Sequence, residues 1–251
     1  PRIAYVNKMD RSGADFYRVL DMMTERLGTH AIPIQIPIGQ GELFAGMIDL
    51  VRMKAITFRE DSFGVQFEEG DIPGDMAEQT HKWREKLIES VSDIDGTLMA
   101  KFVEGEAIDE HEINAALRLN TISCKVVPVL CGSSFRFKGV QPLLNSVIEY
   151  LPSPLDTSPI VGHHPDTEKT EERLTDTNAP FSALAFKVQT DPYMGRLTYI
   201  RIYSGTIQSG DAVLNANSGK KERFNRIVRM FANKREDLTG VKAGDIVAAI
   251  G

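Results

Sequence analysis

Apolar and polar positions set out the first half of the chain as strand, polar loop and helix, used twice. Ile3 to Val6 form a short apolar run, and polar Asn7, Lys8 and Asp10 follow at once. Phe16, Val19, Leu20, Met23 and Leu27 then recur at intervals of three and four, which predicts an amphipathic helix over residues 12–27. Ser12 or Asp15 can cap it, and Gly28 can end it. The stretch AIPIQIPIG alternates apolar residues with Pro and Gln. Proline removes ladder donors, so an edge strand is expected there. GMIDLVRMKAITF continues as strands of a small sheet. Two acid-rich helical stretches come next, near Asp75–Ser92, which holds Trp83, and near Asp109–Leu119.

The opening grammar then returns. Val126 to Leu130 read as a buried strand, Gly132, Ser133 and Ser134 as a polar loop, and the following residues as a helix. Val140, Leu143, Leu144, Val147, Ile148 and Leu151 mark the inner face of that helix. LPSPLDTSP carries helix-stop and linker signals. From about Pro180, short β-rich runs are punctuated by Gly, Asp and Asn, a spacing that predicts a small β-barrel. The fold class expected is α/β, followed by an all-β part.

Composition changes this picture little. The chain has 251 residues and a formal charge of −6. No apolar run approaches the roughly 20 residues of a membrane-spanning helix. No basic segment followed by an apolar one marks a signal peptide. Pro1 stands almost inside a strand and Gly251 follows an apolar run, so both ends are expected to be cut from something longer. Cys124 and Cys131 flank the second strand and lack C-x-x-C spacing; both are expected to be reduced core thiols, which suits a cytosol. His163 and His164 are expected to be a solvated pair, since no ligand stands at metal spacing. Acids dominate from Arg59 to Glu112, and bases lead from Lys220 to Arg235. The basic stretch alternates with apolar residues, which predicts a strand with one wet basic face, either simply solvated or set against phosphates.

Strand–loop–helix junctions are where α/β proteins place ligands, outside the carboxyl ends of parallel strands. N-K-x-D at such a junction has a rationale as a guanine reader. A carboxylate accepts from both the N1–H and the N2–H of guanine, a match adenine does not offer. Asp10 fits that role. The stem of Lys8 can lie along the base plane, and Asn7 can bond the far edge of the base and brace neighbouring loops. A backbone N–H near Ser133 or Ser134 can donate to guanine O6, with Phe135 supporting the turn.

NKMDRSGADF, CGSSF, EYLPSPLD and GRLTYIRIYSGTIQSGD together resemble the elongation factor G family of translational GTPases. The resemblance implies the C-terminal half of a P-loop GTPase domain over residues 1–155, with an inserted α+β subdomain at about 31–123. It implies a linker at 156–179 and a β-barrel domain at 180–251. Ser134 stands where that family usually has Ala. The ligands implied are GTP and GDP, with Mg²⁺ in the whole protein but no Mg²⁺ ligands in this stretch. The partners implied are the ribosome, through its RNA and its acidic stalk protein. The stalk would meet the insert through Lys82, Arg84 and Lys86 or through apolar packing. The whole protein would be a cytoplasmic monomer that hydrolyses GTP to drive translocation of tRNA and mRNA.

A phosphate cradle of the form G-x-x-x-x-G-K-[ST] does not occur in these residues. D-x-x-G occurs at Asp71–Gly74, Asp93–Gly96 and Asp237–Gly240. All three follow N-K-x-D, the reverse of the family's order, and read as turn chemistry. The chain is therefore expected to hold the base-reading side alone, with no catalytic residue and no GTPase activity by itself. Two rivals stand beside this reading: a release-type or ribosome-protection paralogue, and a non-enzymatic module that binds RNA or protein.

Overall fold

The computed structural model describes residues 1–59, 66–92, 96–164, 167, 169–192, 194–232 and 234–250. The chain divides into two compact units, Pro1–Pro152 and Ser153–Gly251.

The first unit runs β1 (Ala4–Val6), α1 (Phe16–Leu27), β2 (Ala31–Pro33), β3 (Gln35–Ile38), β4 (Gly46–Asp49), β5 (Lys54–Phe58), β6 (Phe67–Gly70), α2 (Ala77–Ser92), α3 (Gly96–Glu104), α4 (Glu110–Ile122), β7 (Val127–Cys131) and α5 (Val140–Tyr150). A parallel sheet has the order β1-β7-β2, and an antiparallel sheet the order β3-β4-β5-β6. AIPIQIPIG is divided between them and lies at an edge of each. Ala31–Pro33 therefore stays in the parallel sheet, so the antiparallel insert starts after it rather than at residue 31. Asp15, not Ser12, caps α1 by accepting from the Arg18 N–H at 3.0 Å, a contact of about 1 kcal/mol. Gly28 ends the helix in the left-handed region, at φ 58°.

Phe16 and Leu20 of α1 are buried with Ile32, Met47, Leu87 and Leu117 in one core. Leu27, expected on that face, is 69% exposed, because the helix ends beside it. Tyr17 stacks on Trp83 of α2, with ring centroids 5.4 Å apart, and its hydroxyl accepts from Gln79. Arg84 donates to the carbonyls of Leu50 and Val51 at 2.5 and 2.6 Å. It is thus committed to the insert's own backbone and is no free docking base. α3 and β6 were not legible in the sequence. All four residues of β6 are exposed, and ion pairs Arg52–Glu69 and Lys54–Asp71 tie it to the preceding hairpin.

Two further expectations fail. Cys131 is buried, but Cys124 is exposed. Its φ of 61° places it in the left-handed turn just past α4, outside the core. On α5 the buried residues are Pro142, Ser146 and Tyr150; of the expected inner face Leu143 packs against the core and Val140 and Leu151 are half-buried, whereas Leu144, Val147 and Ile148 are exposed. The helix turns its mixed face inward because the Tyr150 hydroxyl donates to Asn114 of α4 at 2.6 Å and Arg118 caps its last carbonyls.

The second unit begins with a hairpin, β8 (Ile160–His163) and β9 (Thr170–Arg173), inside the stretch expected to be linker. β10 (Ser182–Asp191), β11 (Gly195–Ser204), β12 (Thr206–Gln208), β13 (Ala212–Asn215), β14 (Lys220–Arg223), β15 (Arg226–Phe231), β16 (Lys234–Leu238), β17 (Gly240–Lys242) and β18 (Ile246–Ile250) follow. Five of them form an antiparallel sheet, β10-β11-β18-β15-β16, while β12 pairs with β17 and β13 with β14. The expected barrel is not found. Closure needs a continuous ladder around the sheet, and among the described residues β10 and β16 each pair on one side alone. The core packs Ile200, Ile202, Ile227 and Val247 together. Two of the seven bases in the basic stretch are paired, Arg226 with Asp237, and Arg229 with Glu236 and Asp245.

The D-x-x-G strings have structural uses where they are described, with Asp71 and Asp237 in the ion pairs just given. Asp93 to Asp95 of the remaining string lie outside the described residues. Among the described residues no helix is long and apolar enough to cross a membrane.

Asp49, at the end of β4, accepts the Val51 and Arg52 N–H groups at 2.8 and 2.9 Å. Burial nevertheless raises its pKa above the ordinary carboxylate range, against the lowering effect of those bonds and of Arg52. A carboxyl raised on folding favours the native state below its unfolded pKa, and that contribution is lost as pH rises through the folded one. Asp49→Asn keeps the acceptor oxygen and removes the charge. At neutral pH the variant should be more stable than the parent, within the span of about 0.5–3 kcal/mol of single substitutions. Below about pH 4 the advantage should vanish. Hydrogen-exchange protection of the Ile48 amide, compared at the two pH values, checks this.

Candidate functional site

β1 and β7 are parallel neighbours, with Ala4 opposite Val129 and Val6 opposite Cys131. Their following loops therefore leave the same end of the sheet side by side. One loop carries Asn7, Lys8 and Asp10, and the other carries Ser133, Ser134 and Phe135. Asn7 Oδ1 accepts from the Ser134 N–H at 3.0 Å and the Ser134 hydroxyl at 3.1 Å. It also accepts from the Lys8 N–H at 2.7 Å. The first loop is anchored by Met9, which is buried. Its N–H donates to the Gly132 carbonyl, and its carbonyl accepts from Gly41. Lys8 takes a φ of 65°, rare for a residue with a Cβ. An Arg11 N–H to Lys8 carbonyl turn at 3.1 Å follows it.

The second loop starts at Gly132, where a Cβ would lie 2.2 Å from the Tyr5 hydroxyl and 2.4 Å from the Lys138 carbonyl. Only glycine fits there. Ser133 and Lys138 exchange two backbone hydrogen bonds that close the loop. Tyr5 Oη donates to the Lys138 carbonyl at 3.0 Å, and Lys138 Nζ donates to the Phe44 carbonyl at 3.0 Å. Burial pushes the Tyr5 phenol above its ordinary range, which keeps it a neutral donor. Tyr5 and Lys138 brace the site with Gly132 and are not apparent from the sequence, which marks Gly132 alone as part of the polar loop. A glycine at a strand–loop junction was the available signal.

All six residues expected at the site lie on these two loops. The expected support from Phe135 is absent: it is 86% exposed, because the turn it sits on, Ser134–Arg136, points its ring outward. The Ser134 N–H, expected to meet a base oxygen, is engaged by Asn7. Ser133 is buried, and its hydroxyl has no partner among the described residues. The Asp10 carboxylate is 28% exposed and has Arg136 Nε at 3.8 Å. Exposed pairs of that kind contribute about 0–1 kcal/mol, so a ligand bonding both carboxylate oxygens can displace Arg136. The loops thus offer a paired acceptor, a cation on a flexible stem and a cross-braced amide, a set matched to a planar donor edge.

The donor set does not suit magnesium. That ion favours carboxylates and water in octahedral array beside phosphates. Here the one loop carboxylate faces an arginine, and the Ser134 hydroxyl is spent on Asn7. Among the described residues no three His, Cys, Asp or Glu side chains gather to hold a metal, and His163 and His164 form no such group.

Residues 1–153 match the family described as Elongation factor Tu GTP binding domain, and residues 180–251 match Elongation factor G domain 2. A crystal structure of a protein from Thermus thermophilus is similar, with 26% identity and a TM-score of 0.77 over 100% of this chain. The chain spans 34% of that protein's length. With more than half of its residues inside the GTP-binding match, the chain belongs to the translational GTPase family that carries this domain.

Proposed function

We propose that the two loops read guanine within a ribosomal translocation factor of the elongation factor G type. The observation that carries this reading is the Asn7 carboxamide clamped across both loops, which sets Asp10 beside the second loop. In the bound state Asp10 accepts from N1–H and N2–H, Lys8 lies along the base, and the Ser134 segment meets O6. The whole protein hydrolyses GTP with Mg²⁺, in the cytoplasm and as a monomer, to move tRNA and mRNA on the ribosome. In this reading residues 1–155 are the later part of its GTPase domain, interrupted by the insert, and 180–251 belong to its second domain. The exposed stripe of Leu144, Val147 and Ile148, with an edge of β1 that pairs no strand among the described residues, supports a docking place for the remainder of the GTPase domain.

In the complete factor, Asp10→Asn should shift preference from GTP towards XTP, because an amide donor then faces the 2-carbonyl of xanthine. Sites built on such bonds discriminate by about 10⁴-fold or more. Unchanged relative affinities for the two nucleotides would remove Asp10 from base reading.

The 251-residue chain alone should not turn over GTP, since phosphate contacts supply most of the catalysis in phosphoryl transfer and these residues contain no phosphate-loop motif. Phosphate release that Asp10→Asn abolishes would contradict this.

A third expected outcome concerns the stalk. Lys82 and Lys86 share one exposed face of α2, with Lys86 Nζ 4.4 Å from the Trp83 ring centroid. We place the stalk contact on these two lysines, without Arg84. Reversing both to Glu should cut stalk-dependent GTP turnover at low salt, with the deficit shrinking as salt shortens the Debye length below about 8 Å. Full turnover at every salt concentration would place the stalk elsewhere.

A further inference from the structure

Three donors converge on one oxygen between the two loops. Asn7 Oδ1 accepts from the Lys8 N–H at 2.7 Å, from the Ser134 N–H at 3.0 Å and from the Ser134 hydroxyl at 3.1 Å. A carboxamide oxygen has two lone pairs, so the third donor exceeds its capacity. Two of the three belong to Ser134, and they differ in freedom. The N–H is aimed by the backbone, which enters the short helical turn Ser134–Arg136 at this residue. The hydroxyl rotates about its own C–O bond. Either donor alone would join the loops across the sheet end. Burial does not force the doubling, because Ser134 is exposed and an exposed hydroxyl is satisfied equally by water.

The doubled link bears on a competition inside the site. The Ser134 N–H is the donor assigned to guanine O6, yet Asn7 already holds it. A base that takes this N–H draws it away from the brace that sets Asp10 beside the second loop. We propose that the Ser134 hydroxyl is a relief donor: when O6 takes the N–H, the hydroxyl keeps hold of Asn7 Oδ1, and the loops stay joined with the base in place. Donors and acceptors then balance. Before binding, three donors crowd one oxygen; after it, the same three serve Oδ1 and O6, with the Lys8 N–H unmoved. Ser134 is thus a positioning residue whose hydroxyl acts on the base through Asn7. This inference rests on the reading of the loops as a guanine site. It adds a task for a side chain whose residue was expected to serve through its backbone.

The test compares GDP and 6-thio-GDP affinities of the complete factor by titration calorimetry. 6-Thioguanine keeps N1–H and N2–H for Asp10 but replaces O6 by sulfur, a weak acceptor, so the Ser134 N–H stays on Asn7. Ser134→Ala should weaken GDP binding about fivefold, the worth of one neutral hydrogen bond. It should leave 6-thio-GDP binding unchanged. The variant keeps its fold, because Ser134 is exposed and two backbone hydrogen bonds between Ser133 and Lys138 close the loop without the hydroxyl. In an Asn7→Ala background no brace is left to keep, and Ser134→Ala should cost nothing further. An equal loss on both nucleotides would make the hydroxyl a plain brace. A loss that persists without Asn7 would make it a direct base contact, and no loss at all would make it idle. Each of these outcomes overturns the proposal. None of them touches the unsubstituted factor's preference for GTP over XTP, whose absence would instead remove the guanine reading itself.

Discussion

Val6 lies opposite Cys131 in a parallel ladder, and one residue further on a single carboxamide oxygen accepts both donors of Ser134. These two contacts join loops 127 residues apart in sequence. Everything between them has to leave the sheet and return to it in register. The insert does so by departing after β2, which is itself paired to β7, and by coming back through α4. A long excursion costs little extra closure entropy, because that cost grows only with the logarithm of length. The geometry of these two loops is thus insulated from the size of what is inserted, provided that the parallel register holds.

Within the insert, polar groups serve as structural ties more than as chemistry. Arg84 reaches back to two carbonyls of the β4–β5 turn, and Asp49 organises the same turn from the other side. Burying a charge in this way is costly unless hydrogen bonds compensate, and each of these groups finds backbone partners. The charges of the acid-rich sequence are therefore divided among several uses. Some of its charges build the turn, some pair across strands, and the remainder stay in water.

The elements with strong periods and clear caps were legible: α1 with Asp15 and Gly28, α4 with the Asp109–Glu112 capping box, and β7 as an apolar run. The N-K-x-D loop was legible because its chemistry is local to four residues. What failed depended on distant partners. Half of the apolar stripe of α5, Leu144, Val147 and Ile148, reads as inner face but is exposed, because Asn114 and Arg118 rotate the helix. Cys124 looks like a core thiol until the left-handed turn carries it outward. β6 contains no apolar pattern at all and exists through ion pairs to a neighbouring hairpin. Sheet closure in the second unit depends on pairing between strands far apart in sequence, which spacing alone does not encode. Among the site residues, Tyr5 and Lys138 were hidden for the same reason: each acts across a gap of more than 90 residues.

The stack of Tyr17 on Trp83 joins the second residue of the helix that follows the N-K-x-D loop to α2. Trp83 is also the chain's single indole. A tilt of α1 too small to alter any hydrogen bond would still change the overlap of the two rings, and with it the colour and intensity of the emitted light. The protein therefore carries its own optical gauge of how α1 sits against α2, and it can be read without attaching a dye.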